Sequence, residues 1–177
     1  MPLQQTDIKR IALIGPESTG KTTLCSELAA HYNTCWVPEY SRDYIGALNR
    51  PYTLDDIILC TKNQLKEEER LIPLSNRFLF SDTELIIAKV WMEDVFHEAP
   101  SWVNAEIDKR KFDLYLLTDL DLPFENDPVR ENPHRRDYFF GLYKQELEKR
   151  NFPFVLIRGN GNERLQQAIA AVSGYFR

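Results

Sequence analysis

The segment that most constrains the fold is a glycine-rich turn at residues 15–22, between an apolar run and an amphipathic stretch. Its pattern of glycine, four variable residues, glycine, lysine and threonine matches the phosphate-binding P-loop. The apolar residues 11–14 predict a buried strand. Leu24, Leu28 and Tyr32 recur every four residues, which predicts a helix. A strand, a glycine loop and a helix N-terminus form the context that this motif requires.

The loop predicts a binding site for the phosphates of ATP and for Mg²⁺. Its backbone N–H groups are expected to form an anion nest, and the helix dipole adds positive potential at the same point. Lys21 is expected to contact the β and γ phosphates, and the Thr22 hydroxyl is expected to ligate Mg²⁺. The alternative, a glycine turn before an ordinary helix, does not explain why a lysine and two threonines share one helical turn. The residues assigned to the nucleotide in this loop are Gly15, Glu17, Ser18, Thr19, Gly20, Lys21, Thr22 and Thr23.

Composition narrows the class of protein and of partner. A chain of 177 residues suits one domain, so residues 1–177 are taken as a single unit. The net charge of −5 argues against a nucleic-acid surface, and no apolar run approaches the about 20 residues of a membrane-spanning helix. Cys25, Cys35 and Cys60 have neither metal-site nor disulfide spacing, and the N-terminus has no apolar signal segment. We therefore expect a cytoplasmic protein without nucleic-acid or membrane partners; its oligomeric state is left open.

Apolar segments with strand character alternate with helical patterns along the whole chain. The predicted strands are residues 10–14, 34–39, 78–83, 112–118 and 154–157. Such alternation predicts an α/β fold with a five-stranded parallel sheet, helices on both faces and right-handed crossovers. Thr53 and Asp56 have the spacing of a capping box, which predicts a helix start at that point.

Two acidic residues stand at the ends of predicted strands. Glu39 ends the second strand and Asp82 ends the third. Ligands of open α/β sheets lie beyond the carboxyl ends of the strands, so both side chains are expected at the active cleft. Asp82 is predicted to hold Mg²⁺, and either Glu39 or Asp82 to orient the acceptor hydroxyl as a catalytic group beside Lys21. The alternative is that both merely begin helices, where acidic groups are favourable.

Aromatic residues near these acids are candidates for contact with the acceptor. Tyr40, Arg42 and Tyr44 follow the second strand directly and are assigned to the substrate. The alternative for the two tyrosines is packing on each other at helical spacing. Trp91 shares a helical face with apolar residues, so it is expected in the core. Stacking of Trp91 on a planar ligand is the second interpretation of this residue.

Residues 124–137 contain few aliphatic side chains and three arginines, a composition that suits a mobile lid. Arginine forms planar, multidentate contacts with phosphate oxygens, and closure excludes water that would compete as acceptor. Arg130 and Arg135 are therefore assigned as catalytic residues that stabilise the migrating phosphoryl group, and Arg136 is assigned to the nucleotide. The alternative is an ordinary surface loop.

Three stretches, residues 15–24, 39–44 and 81–84, together resemble the nicotinamide riboside kinase domain of NadR-type proteins. Residues 125–130 look like that family's lid, and the resemblance extends over residues 9–172. It implies a P-loop kinase fold with strand order 2-3-1-4-5. It also implies ATP-dependent phosphorylation of nicotinamide riboside to its mononucleotide, a step that feeds NAD synthesis.

Other functions remain open at this point. In a second hypothesis, the chain is a P-loop kinase of another small molecule, such as a different nucleoside, a nucleotide or a shikimate-like acid. In a third hypothesis, it is a nucleotide-driven switch that hydrolyses ATP to move a partner. The three lid arginines favour a self-sufficient kinase, and the chain has no Asn-Lys-x-Asp motif for reading guanine.

Overall fold

The structure is a computed structural model that describes residues 8–127 and 130–177. At its centre is one sheet of five parallel strands in the order β2-β3-β1-β4-β5. The strands are β1 Lys9–Ile14, β2 Trp36–Val37, β3 Phe78–Asp82, β4 Leu114–Thr118 and β5 Phe154–Ile157. This order confirms the one implied by the resemblance, and the parallel pairing confirms the pattern of alternating segments.

The strands at the centre of the sheet are buried on both faces. Every residue of β3 and of β4 is buried, as is typical of parallel strands covered on both sides. The edge strand β2 is shorter than the predicted residues 34–39, because Pro38 has no N–H to continue the hydrogen-bonded ladder. Pro38 therefore ends the strand just before Glu39.

Seven helices cover the two faces of this sheet in the described part of the chain. They are α1 Lys21–His31, α2 Tyr40–Gly46, α3 Leu54–Leu71, α4 Leu85–Phe96, α5 Ser101–Lys109, α6 Arg136–Lys149 and α7 Gly161–Tyr175, with a short 3-10 helix at Ile72–Leu74. The predicted capping box begins α3: Thr53 Oγ1 accepts from the Asp56 N–H, and the Asp56 carboxylate accepts from the Thr53 N–H. Helix α5 was not predicted.

Alternate residues of the strands contact opposite helical layers. Ile11 and Leu13 of β1 pack with α1 and α7. Ala12 and Ile14 pack with residues of α3, α4, α5 and α6. This arrangement confirms helices on both faces. It also brings the carboxyl ends of all five strands to one edge of the sheet, where the P-loop follows β1.

No helix within residues 8–127 or 130–177 combines the length and the apolar character needed to cross a membrane.

Candidate active site

A cavity of about 450 Å³ lies at the carboxyl edge of the sheet. Its walls come from the P-loop, α2, α4, the segment before α6 and the start of α7. Most of the residues predicted from the sequence line it: Gly15, Glu17, Ser18, Thr19, Gly20, Lys21, Thr22, Thr23, Glu39, Arg42, Trp91, Arg130, Arg135 and Arg136.

Both motif glycines are needed for the shape of the P-loop. A Cβ on Gly15 would lie 2.1 Å from Thr118 Oγ1, so no larger residue fits there without rearrangement. Gly20 has a φ of +74°, in the left-handed region, and a Cβ there would lie 2.9 Å from Leu122 Cδ1. The loop therefore passes close to β4 and to the segment that leaves it.

A buried pair of hydroxyl groups joins the P-loop to β4. Thr19 Oγ1 donates to the Pro16 carbonyl at 2.8 Å and lies 2.7 Å from Thr118 Oγ1. Both threonines are fully buried. Thr118 was missed from the sequence because a threonine at the end of an apolar run is also what strand propensity favours.

The lysine of the motif folds back over the loop. Lys21 Nζ donates to the carbonyls of Gly15 and Pro16, each at 2.8 Å. Burial lowers the pKa of Lys21, and the nearby carboxylates of Asp82 and Glu39 act in the opposite direction. Its ammonium group thus lies at the phosphate-binding loop and beside both predicted acids.

The residues predicted to hold Mg²⁺ are in direct contact. Thr22 Oγ1 donates to Asp82 Oδ2 at 2.6 Å. Asp82 is fully buried, and its other oxygen, Oδ1, has no hydrogen-bond partner among the residues that the structure describes. Burial raises the pKa of Asp82 to about 6, against the lowering effect of Lys21. The Thr22 hydroxyl and the unpartnered Oδ1 of Asp82 fit Mg²⁺, because this ion prefers oxygen ligands.

Glu39 both begins a helix and faces the cavity. It is the N-cap residue of α2, although its side chain makes no capping hydrogen bond. Its Oε1 instead accepts from Ser41 Oγ at 2.7 Å, and both residues line the cavity. Arg42, one residue further, forms an ion pair with Asp127. Glu39 therefore begins α2 and also lines the cavity, and its role toward an acceptor hydroxyl stays a prediction.

Tyr40 and Tyr44 do not line this cavity. They stack on each other with ring centroids 6.3 Å apart and face a separate, shallower depression with Asp43 and Glu67. Tyr44 Oη donates to Asp56 Oδ1 at 3.0 Å. Helix α2 turns the face of Ser41, Arg42 and Ile45 toward the cavity, and this turns the two tyrosines away. Tyr40 and Tyr44 therefore pack on each other, as their alternative interpretation predicted.

Trp91 lies on the cavity wall as well as against the apolar core. Its Nε1 donates to Tyr52 Oη at 3.2 Å, and Tyr52 Oη donates to Glu131 Oε2 at 2.9 Å. The two rings are 5.1 Å apart at 70°. Burial raises the pKa of Tyr52 to about 12, so its hydroxyl stays protonated and able to donate. Tyr52 was missed because it lies in a connection without periodicity.

The predicted lid rests on the P-loop. Two of its residues, Pro128 and Val129, lie outside the described residues. The Glu17 carboxylate accepts from the main-chain N–H groups of Asn132 at 3.1 Å and Glu131 at 3.3 Å. Ser18 Oγ accepts from the Glu125 N–H at 3.1 Å. Main-chain groups on both sides of the undescribed pair are thus bonded to the loop.

The three lid arginines all line the cavity, but each already has protein partners. Arg130 donates to the Glu125 carbonyl at 3.0 Å. Arg135 makes a two-point contact with Asp94, at 2.5 and 2.8 Å. Arg136 donates to the carbonyls of Ser18 at 3.1 Å and Leu122 at 2.9 Å. Contact of these arginines with phosphate stays a prediction. Arg164 of α7 also lines the cavity, and no motif marked it.

A protein-family model and curated relatives both match this chain. A protein-family model described as an AAA domain matches residues 10–164. The trifunctional NAD biosynthesis/regulator protein NadR of Escherichia coli (strain K12) is 27% identical over 156 residues, which cover 85% of this chain. The chain spans 38% of the length of that relative.

Comparison with solved structures gives the same fold. A NadR protein in complex with NR superposes with a TM-score of 0.75 at 23% identity, covering 97% of this chain and 50% of that chain. A deoxyadenosine kinase from M. mycoides with products bound gives a TM-score of 0.62 at 15% identity, covering 93% of this chain and 99% of that chain. The fold is therefore that of P-loop nucleoside and nucleotide kinases.

Proposed function

This chain belongs to the AAA domain family, and we propose that it is a kinase of a small ribose-containing acceptor. In this proposal it transfers the γ-phosphoryl group of ATP to the 5′-hydroxyl of nicotinamide riboside and forms the mononucleotide. The observation that carries the proposal is that one cavity joins the P-loop to a wall with Glu39 and Trp91. Donor and acceptor would meet within it.

The donor half of the proposal uses the P-loop as described. The triphosphate would lie on the loop amides with Lys21 at its β and γ phosphates. Thr22 and Asp82 would hold Mg²⁺, which supplies charge neutralisation on the phosphate oxygens. The unpartnered Oδ1 of Asp82 supports this assignment, because a buried carboxylate oxygen without a donor is otherwise costly.

The acceptor half of the proposal places the ribose near Glu39. Phosphoryl transfer has a loose transition state that asks little of a base, so orientation of the hydroxyl matters more than proton removal. Glu39 has one carboxylate oxygen bonded to Ser41 and lines the cavity. Either Glu39 or Asp82 would therefore accept the hydroxyl hydrogen bond.

The far wall of the cavity suits a flat, positively charged ring. Trp91 and Tyr52 offer aromatic surface, and Glu131 adds a carboxylate to the same lining, whereas the carboxylate of Asp94 is already paired with Arg135. A cation over an aromatic face gains up to about 2 kcal/mol when desolvated. The pyridinium ring of nicotinamide riboside combines both properties. The relatives support this choice, since one is an NAD biosynthesis protein and another was solved with NR, which we take as nicotinamide riboside.

The segment at residues 124–137 would act as a lid over the phosphates. Arg130 is the best placed of its arginines, because its carboxylate partner Glu125 is largely exposed and their contact is 3.4 Å. Arg135 and Arg136 would have to share or leave their present partners to reach a phosphate oxygen. Their assigned roles depend on that rearrangement.

An acceptor panel tests the proposal. The protein is incubated with ATP and Mg²⁺ and with nicotinamide riboside, nicotinic acid riboside, adenosine or a deoxynucleoside, and products are identified by mass. We expect phosphorylation of nicotinamide riboside in preference to the neutral nucleosides. Preference for a deoxynucleoside would refute the acceptor but leave the kinase chemistry. ATP hydrolysis that no acceptor accelerates would instead support a nucleotide-driven switch.

Two lysine substitutions, one in the P-loop and one outside the cavity, test the phosphate site. Lys21→Ala should reduce turnover by orders of magnitude, because the charge on the transferring phosphates is lost. Lys111→Ala removes an exposed lysine that precedes β4, at the opposite edge of the sheet. It should leave turnover unchanged. Near-normal turnover in Lys21→Ala would reject the site.

A further inference from the structure

A buried arginine in the first turn of α7, which lines the cavity, also contacts the main chain of the P-loop. Arg164 is 4% exposed. Its Nη2 donates to the Thr19 carbonyl at 2.6 Å and to the Asp119 carbonyl at 3.3 Å. Its Nη1 donates to Asp121 Oδ1 at 2.7 Å and to the Gly159 carbonyl at 2.7 Å. One guanidinium thus joins three segments: the P-loop, the segment after β4 and the loop after β5.

The contact with the Thr19 carbonyl determines where the next amide points. In a trans peptide the C=O and N–H bonds are directed to opposite sides. Because Arg164 holds the Thr19 carbonyl, the N–H of Gly20 in the same peptide is directed away from the guanidinium. Gly20 is also the residue at which the loop enters α1, with its φ of +74°. Its N–H is one of the donors that a P-loop offers to phosphate.

Arg136 repeats this geometry one residue earlier. It donates to the Ser18 carbonyl at 3.1 Å, so the Thr19 N–H is directed away from Arg136. Two successive P-loop carbonyls are therefore held by arginines from outside the loop. Arg164 is the more buried of the two arginines and lies 145 residues along the chain from the carbonyl that it holds.

The chemistry of this position favours arginine over lysine. A planar guanidinium donates in several fixed directions at once, whereas an ammonium group is a compact point charge. Arg164 uses its two terminal nitrogens for four acceptors, and its Nε, also buried, has no partner within residues 8–127 and 130–177. The carboxylate of Asp121 offsets part of the cost of burying the charge.

We propose that Arg164 is a positioning residue for polyphosphate: by holding the Thr19 carbonyl, it orients the Gly20 amide toward the phosphates before the nucleotide binds. This inference rests on the proposed phosphate site and is independent of the acceptor's identity. Arg164 does not itself take part in phosphoryl transfer. Its effect is to keep the loop in its binding conformation.

The test uses magnesium tripolyphosphate, which has phosphates but no base or ribose. Arg164→Gln and Arg164→Lys are compared with wild type by calorimetry. The control is Arg158→Gln, which removes an exposed arginine of the neighbouring loop. Loss of a charged hydrogen bond to the loop should weaken binding in Arg164→Gln about tenfold or more. Arg164→Lys should lose at least about threefold, because one ammonium group cannot replace the paired contacts.

An amide spectrum separates positioning from charge. In ligand-free protein, ¹⁵N–¹H spectra of both Arg164 variants should show a displaced or broadened Gly20 resonance, and Arg158→Gln should not. The Michaelis constant for the acceptor should stay within about twofold of wild type, since no acceptor contact changes. If Arg164→Gln fails to fold, the Lys variant and its Gly20 resonance decide the question.

Three results would overturn the inference. They are unchanged tripolyphosphate binding in Arg164→Gln, wild-type binding in Arg164→Lys, or an equal loss of binding in Arg158→Gln, which would indicate general electrostatics. A different result marks failure of the proposed function itself: wild-type protein that does not bind magnesium tripolyphosphate. The two failures are therefore distinguishable in one series of titrations.

Discussion

The close approach of the P-loop to β4 makes a sharp prediction about Gly15→Ala. The added Cβ would lie 2.1 Å from Thr118 Oγ1 and 3.0 Å from the Thr118 carbonyl oxygen, where ordinary contacts are 3.4–4 Å. The side chain of Thr118 must therefore rotate away or the two strands must separate. Either response breaks the contact between the Thr118 and Thr19 hydroxyls.

The expected cost follows from two contributions. Overpacking of a well-filled site costs about 1–3 kcal/mol. Loss of the buried contact between Thr118 and Thr19 adds about 1 kcal/mol. We therefore expect Gly15→Ala to lower the free energy of unfolding by about 2–4 kcal/mol. The double variant Gly15→Ala/Thr118→Ala removes the nearest clashing atom, so the two substitutions should couple by about 1 kcal/mol or more.

Urea denaturation measures these differences, with Gly141→Ala as the matched control. Gly141 lies within α6, and a Cβ there would meet nothing within 4 Å. Because alanine favours a helix over glycine, this control should be more stable than wild type by about 0.5–1 kcal/mol. An unchanged unfolding midpoint for Gly15→Ala, or no relief in the double variant, would refute the reasoning.

Three further predictions concern carboxylates. Asp82→Asn should abolish Mg²⁺-dependent turnover, because it removes the proposed metal ligand; normal turnover at saturating Mg²⁺ would contradict the assignment. Glu17→Ala removes the acceptor for the N–H groups of residues 131 and 132, so trypsin should cut after Arg130 faster than in wild type; an equal rate would show that this contact does not hold the segment. The Arg50 guanidinium, with Thr53, holds the pKa of Asp56 below its usual range. Since an unfolded Asp has a pKa of about 3.9, the stabilisation by charged Asp56 is complete above that pH and is lost as the pH falls further. The difference in Tm between wild type and Asp56→Asn should therefore be widest near neutral pH and shrink in acid; a gap that grows in acid would contradict it.

Features with a local or periodic signal were predictable from the sequence. The five strands, the P-loop and the capping box each depend on residues within a few positions of one another. The position of Asp82 at the carboxyl edge of the sheet was predictable because the rule for strand ends needs only the strand itself, and its role as a metal ligand stays a prediction. The contact between Thr22 and Asp82 is the direct consequence of β1 and β3 being neighbours in the sheet.

The missed residues act through partners far along the chain. Thr118 contacts Thr19 across 99 residues, and Tyr52 contacts Glu131 across 79 residues. No local pattern distinguishes these side chains from ordinary strand, loop or helix residues.

Helix α2 shows the same limit. The spacing of Tyr40 and Tyr44 predicted that they share a face but not which face meets the cavity. Packing of α2 against α3 decides that, through the contacts of Tyr44 with Asp56 and of the Tyr40 N–H with Gln64.

The division of the cavity between segments has an evolutionary consequence. The phosphate-binding part comes from β1 and α1, whereas the opposite wall comes from Ile45, Tyr52 and Trp91, which belong to later segments. Under the proposed function, substitutions in those segments would change which acceptor is bound without disturbing the P-loop glycines or the contact of Thr22 with Asp82. Paralogues that arise by gene duplication would then diverge in acceptor while keeping the proposed nucleotide site.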